Sequence, residues 1–293
     1  MLKFKIILIL IVLINVSFAQ NDTIKNNRKR IILISNISLY TTSYSGMYFL
    51  WYKNNDKQKF HFFDDSKEWL QMDKTGHAFS SYYITKIIYN ELNWAEYSKK
   101  QSLNYSLLSG FLTVSTIEIL DGFYKNWGAS LSDISANFIG SSSFYIQQKI
   151  WEEQRIIPKF SFSKTSYSKV RPELLGDNTI QNIFKDYNGQ TYWLSANINS
   201  FINSNKFPDW LNIAFGYSAK GMIGGSNNSF LLHEYPNSLR QRQYFFSLDI
   251  DLRKIKTKNR FLKSVLTSLN TIKFPLPTIE YSNKTTTFYW FYF

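Results

Sequence analysis

The chain has 293 residues, enough to bury a sizeable core in one large or two small domains, and its aromatic share of 18% is far above that of a disordered polypeptide. Its 34 Lys and Arg against 21 Asp and Glu leave a formal charge of +13, which favours anionic partners unless it only reflects a Lys-rich composition. There is no cysteine, which excludes disulfides, a thiolate nucleophile, cysteine metal ligands and a lipid anchor on an N-terminal cysteine.

Residues 1–19 read as a secretory signal peptide. Lys3 and Lys5 precede the apolar run Ile6 to Ile14, and Ser17-Phe18-Ala19 places a cut before Gln20. Residues 20–30 are a polar, basic lead-in. Ile31 to Tyr52 carries no charge, but Ser, Thr, Asn and Tyr dilute its apolarity; the expectation is a buried helix packed by small side chains, with a membrane helix as the alternative. A mixed aromatic loop follows, in which Asp64-Asp65-Ser66 can cap a short turn.

Three helices are predicted next, over about Asp73–Trp94, Leu103–Leu120 and Ser130–Trp151. The second has no charge before Glu118 and should be the most buried. Ala136 and Gly140, four residues apart, leave a flat strip for a close neighbour. Residues 158–190, with Pro158, Pro172, Gly176 and Gly189, read as a linker with loops. The period then drops to two over 192–202, 210–219 and 243–253, predicting three half-buried strands. A basic amphipathic helix over about Lys258–Ile272 and a last hairpin from 279–282 and 288–293 complete the chain. The predicted fold is α+β: an N-terminal bundle of about four helices, then a small, mainly antiparallel sheet with one amphipathic helix. A sheet packed on the bundle is preferred to an outer-membrane barrel, which needs at least eight strands.

Helical spacing puts Asp73 with His77, Glu118 with Asp121, and Asp133 with Asn137 on three faces. Together with Lys74, Ser130 and Gly140 these form one candidate polar cluster. Its carboxylates outnumber its cations, so three resolutions are open. A divalent metal can be held by Asp73, His77, Glu118, Asp121 and Asp133; some carboxylates can stay protonated and ready for acid–base work; or all can pair in a structural network. In a catalytic reading His77 is the acid or base, Glu118, Asp121 and Asp133 orient it or bind metal, and Lys74 stabilises an anion.

Asp73-Lys74-Thr75-Gly76-His77, then Glu118-Ile119-Leu120-Asp121-Gly122, then Ser130-Leu131-Ser132-Asp133 with Ala136-Asn137 and Gly140, resemble the YfiM-like family of predicted periplasmic lipoproteins, a domain of unknown function. The same order of residues is similar to the VanZ-like membrane proteins. The resemblance spans roughly residues 72–150. It implies a helical domain over 20–157 in an exported protein of Bacteroidetes type, with the β-rich region 191–293 as an addition, and it implies no reaction. Lacking cysteine, the chain departs from the lipoprotein relatives. It is therefore expected in the periplasm or cell envelope, membrane-associated and not a lipoprotein.

Elsewhere the candidates are weaker. His233-Glu234 lacks a second histidine for zinc, His61 sits among phenylalanines as a packed residue, and Gly221 to Gly225 lacks the Lys of a phosphate loop. Arg253, Lys254, Lys256, Lys258, Arg260 and Lys263 can hold the C-terminal helix on an anionic membrane surface or form a plain solvated face. Export disfavours nucleic acid. The function read from the residues is a structural or binding role in the cell envelope. The alternative is a membrane-proximal hydrolase or transferase for a lipid-linked or cell-wall substrate.

Overall fold

The computed structural model describes residues 23–202, 206–228 and 239–293. The expected signal peptide and His233-Glu234 lie outside these residues. The first helix, α1, runs Thr23–Met47 and widens into a π-helical turn at Tyr48–Tyr52. Three long helices follow: α2 (Met72–Trp94), α3 (Lys99–Asp121) and α4 (Leu131–Trp151). Ser98 and Gln101 form a reciprocal capping box at the start of α3, and the Ser130 hydroxyl accepts the Asp133 amide at the start of α4.

These three helices pack on one another through small and polar residues. The Ser81 hydroxyl donates to the Asn137 carbonyl at 2.7 Å, and the Thr85 hydroxyl to Ser141 Oγ at 2.9 Å. On α3 the buried residues are Ser102, Ser106, Gly110, Val114 and Glu118, a stripe at four-residue spacing. Leu108, Leu112 and Ile119 stand exposed on its other side. The expectation that α3 would be the most buried element is therefore corrected: Leu108, Leu112 and Ile119 face outward, and the buried stripe is mostly small or polar. Residues 31–52 are corrected in the same way. Ile31, Ile34 and Leu39 of α1 are exposed, and the helix lies against α3 through the Tyr44 hydroxyl, which donates to the Thr113 carbonyl at 2.7 Å.

The second half is one six-stranded antiparallel sheet in the order β1 to β6, with β1 at Ile156–Phe162, β2 at Gln190–Asn197, β3 at Leu211–Lys220, β4 at Gln241–Ile250, β5 at Leu276–Ser282 and β6 at Thr285–Tyr292. The α+β architecture is as the residues predict. The stretch 158–190, expected as linker, contributes most of β1, whose Pro158 is tolerated because it pairs with β2 on one side only. That stretch also holds α5 (Thr179–Lys185). The amphipathic helix between β4 and β5 is α6, Arg260–Leu269. The free edge of β1 is covered: the Phe160 amide donates to the Thr271 carbonyl and the Lys273 amide to the Phe160 carbonyl, both at 2.9 Å.

The sheet curls back on itself. The Tyr292 ring at the end of β6 packs on Phe245 of β4, with centroids 4.5 Å apart, and on Trp193 of β2 at 6.0 Å. The Ser163 hydroxyl, just past β1, donates to the Phe293 carbonyl at 2.7 Å. Helix α2 crosses the outside of β1 and β2, where Phe79 meets Tyr192 and Phe160.

The closeness of the helices rests on two glycines. A Cβ on Gly140 would stand 2.0 Å from the Ala78 carbonyl oxygen, and one on Gly110 would stand 2.1 Å from Thr85 Oγ1. Gly140→Ala should destabilise the protein by about 1–3 kcal/mol, the usual overpacking cost, read as a lowered melting temperature. Gly46→Ala is the control, because no atom of the described residues lies within 4 Å of a Cβ at that position.

Candidate functional site

The start of α2 is set by an unusual turn. Trp69, Leu70 and Gln71 all have positive φ, at 47°, 50° and 64°, a region that costs a side-chain-bearing residue about 1–2 kcal/mol. The sheet side holds the turn in place. The Trp69 amide donates to the Gly225 carbonyl at 2.8 Å, the Tyr217 hydroxyl to the Leu70 carbonyl, and Arg242 to the Gln71 side chain. Asp73, Lys74 and His77 project from the first turns that follow.

Lys74 lies at the centre of the site. Its Nζ is 2.5 Å from Asp65, 3.2 Å from Asp73, and 2.9 Å from Asp133 Oδ1. Asp65 also accepts the hydroxyls of Ser130 and Ser132, at 2.6 and 2.7 Å. Burial opposes ionisation of Asp65, but hydrogen bonds with Asp133, Lys74, Ser130 and Ser132 win and hold its carboxyl down at about 2. Glu118 is 1% exposed; its Oε2 accepts the Ser130 amide at 3.1 Å, while its buried Oε1 has no hydrogen-bond partner among the described residues.

His77 is fixed from behind by Asn137, whose Oδ1 is 3.1 Å from Nδ1. Its Nε2 points between Asp73 Oδ1 at 3.8 Å and Glu118 Oε1 at 3.7 Å. Both gaps exceed a hydrogen bond. They match the spacing of two donor atoms around one cation, each about 2.1 Å from it. One ligand atom each from Asp73, His77 and Asp133 lie within 4.8 Å of one another. Lys74 occupies the far oxygen of Asp73, and the Tyr187 hydroxyl donates to the near one at 2.5 Å.

In front of His77 and Asp73 lies a cavity of about 330 Å³, bounded by α2, α3, β1, β2 and the segment around α5. Its floor is polar, formed by Asp73, His77, Tyr187 and Gln190; Phe79, Val114, Ile117, Phe160, Ile183 and Phe184 make its walls apolar.

The structure thus brings Asp73, Lys74, His77, Glu118, Ser130, Asp133 and Asn137 together. Asp121 is turned aside and accepts the Tyr52 hydroxyl. Gly140 acts through helix packing, since its hydrogens face the α2 backbone. Lys74, expected to stabilise an anion, is instead engaged by three carboxylates. Asp65 and Tyr187 belong to the cluster without having been predicted in it. Asp64-Asp65-Ser66 was legible as a turn cap, and the Ser66 amide does donate to Asp64; nothing local marks Asp65 as reaching Lys74. His61 is packed as expected, its amide donating to the Gly122 carbonyl at 2.9 Å.

Residues 61–149 match a family model described as a predicted periplasmic lipoprotein, DUF2279. The match takes in α2, α3 and all but the last two residues of α4, and with them every predicted cluster residue. It supports the resemblance to predicted periplasmic lipoproteins and carries no link to VanZ-like proteins. The expectation of a protein that is not a lipoprotein is corrected, because the matched family is described as one. No curated protein and no solved structure matches the chain.

Removing Lys74 leaves Asp65 and Asp133 facing each other in a buried site. Lys74→Met should therefore cost about 3–5 kcal/mol, read as a lowered melting temperature. Asp65 adds a pH dependence. Its folded value near 2 lies below its unfolded value of 3.8, so its contribution is complete above about pH 5 and is lost as pH falls from about 4 to 2. At pH 7 Asp65→Asn should cost about 2 kcal/mol, and the gap to wild type should close across that acid window.

Proposed function

We propose that this chain is an exported cell-envelope protein whose helical half binds the polar head of an amphiphilic molecule, with a divalent cation between His77 and its carboxylates. The observation that carries this reading is the pairing of Asp73 and His77 on the floor of a cavity with apolar walls. The cluster divides into two parts. Lys74, Asp65 and Ser130 pair with one another and with Asp133 and fix the helices, a structural role, while Asp133 also keeps a ligand atom within 4.8 Å of those of Asp73 and His77. His77 and Asp73 face the cavity, and His77 Nε2 has two carboxylate oxygens at cation spacing. The signal-like N-terminus and the description of the matched family both support export to the periplasm.

A second reading, a hydrolase or transferase on a lipid-linked or cell-wall substrate, is favoured by one further observation. Asn137 fixes the His77 ring through Nδ1, and His77 lines the cavity, where a general acid or base would have to stand. Glu118 would then orient His77, and Asp133 would act only through Lys74. Asp121, held by Tyr52, takes no direct part.

Metal analysis of the purified chain, with titration by Mn²⁺ and Zn²⁺, tests the first reading. One divalent ion per chain is expected for the wild type, lost in His77→Ala and in Asp73→Asn while both variants stay folded by circular dichroism. Wild-type protein that binds neither ion would sink it. For the second reading, His77→Ala should fail to complement the envelope phenotype of a deletion strain; full complementation would leave a binding role alone.

A further inference from the structure

The polarity of this protein runs opposite to that of a water-soluble domain in both of its halves. Among the described residues, buried polar and charged side chains outnumber buried apolar ones. The alternation of the strands shows the pattern most plainly. On β4 the inward residues include Gln243, Ser247 and Asp249, and the outward ones are Tyr244, Phe246 and Leu248. On β5 Thr278, Glu280 and Ser282 point in, and Ile279 and Tyr281 point out.

The inside of the curled sheet holds charges that satisfy one another. Lys159 and Lys273, both 0% exposed, flank Asp249 at 2.7 and 3.8 Å, and the Ser195 hydroxyl donates to Asp249 at 2.6 Å. The outward face carries Leu194 at 55% exposure, Phe215 at 56%, Phe288 at 52% and Trp290 at 73%. In water this arrangement forgoes the burial energy that holds a sheet together, about 25 cal/mol for each Å² of apolar surface left exposed.

The helices repeat the inversion. Helix α3 is long and apolar enough to cross a membrane, yet only 22% of its most apolar window is buried. Phe138, Ile139, Ile146 and Ile150 line the outer side of α4 and are all more than half exposed. With 23 residues, α3 is about 35 Å long at 1.5 Å per residue. The ten-residue strands β3 and β4 reach about 34 Å, or roughly 25 Å when tilted as membrane strands are. Both lengths suit a hydrocarbon layer of about 30 Å. Where β4 ends, α6 exposes Phe261 at 78% beside exposed Lys256, Lys258 and Arg260. An apolar side chain next to a basic row is the composition of a helix lying among anionic head groups.

We propose that the outward faces of the sheet and of α3 and α4 form one belt whose partner is the hydrocarbon of a lipid bilayer, with α6 at the head-group level. A protein partner would cover one patch, whereas this apolar surface extends over both halves of the molecule. Interhelical contacts through Ser, Thr and Gly, and a sheet with polar contents and a covered β1 edge, are the packing that hydrocarbon demands. The proposal does not depend on what the cavity binds.

The absence of cysteine allows a direct test in the full-length protein. Phe215→Cys and Phe288→Cys place a spin label on the outer face, Ser247→Cys inside the sheet, and Lys256→Cys beside α6. The proteins are reconstituted in vesicles of phosphatidylcholine with phosphatidylglycerol. Labels at 215 and 288 should collide with oxygen more readily than with a water-soluble nickel chelate, and the label at 256 should show the reverse. Access of the chelate to 215 and 288 equal to that at 256 would overturn the proposal. Unlabelled wild-type chain, which avoids any folding defect of the variants, should float with the vesicles after an alkaline wash. A chain that remains in the aqueous fraction, as a monomer or as a dimer covering this face, would equally overturn it.

Discussion

The ammonium group of Lys74 is reached by carboxylates from three separate stretches of chain: the loop before α2, α2 itself, and the first turn of α4. Its burial requires that partnership, and the carboxylates in turn have few other cations to answer them. Lys74 therefore sets the angle at which α2 meets α4, and everything built on α2 follows. His77 is one helical turn further along, so the contact that anchors Lys74 also places the imidazole before Asn137 and Glu118. The short approach allowed by Gly140 makes the arrangement possible, because the ion pairs would open if the two backbones stood further apart.

A common rule governs helices and sheet. In each, most of the groups that meet inside are small, hydroxylated or charged and most bulky apolar groups are turned away, the exceptions including buried aromatic pairs, Tyr82 with Phe144 among the helices and Trp193 with Phe245 inside the sheet. Among the helices the result is a seam of Ser81, Thr85, Ser141 and Gly110; inside the sheet it is the Lys159–Asp249–Lys273 arrangement. Directional bonds join two small apolar clusters, Met72 with Met222 and Trp193 with Phe245, as the source of a unique structure. Such bonds specify geometry more sharply than apolar contact does, but leave each buried group dependent on its partner.

Much of this was legible in the residues. Helical spacing located α2, α3 and α4 to within a few positions and put His77 on one face with Asp73 and Asn137 on one face with Asp133; that these faces meet, with His77 against Asn137, is seen only in the fold. The motif could not show Asp65, because a loop residue has no periodicity to tie it to a helix sixty residues away in the same fold. Tyr187 was hidden for the same reason within a stretch read as linker. Strand β1 was missed because Pro158 reads as a break, although a strand paired on one side accepts it. The deepest gap concerns sense. A period of two says that Tyr244 and Phe246 share a face opposite Ser247 and Asp249, but it is symmetric and does not say which face is the inner one.

The strand order, in which each of the six strands pairs within the sheet with its neighbours in sequence, has a temporal consequence. Every pairing from β1 to β6 can be made as soon as the next segment is available, without waiting for a distant partner to arrive. Low sequence separation favours fast assembly, and a sheet grown in this way presents a single unpaired growing edge at any moment. For a surface as apolar as the outer face described above, that limits the time during which stray association competes with completion. The last strand then closes toward the first, its Tyr292 settling on Trp193 and Phe245, so that assembly ends with the growing edge folded back against the molecule.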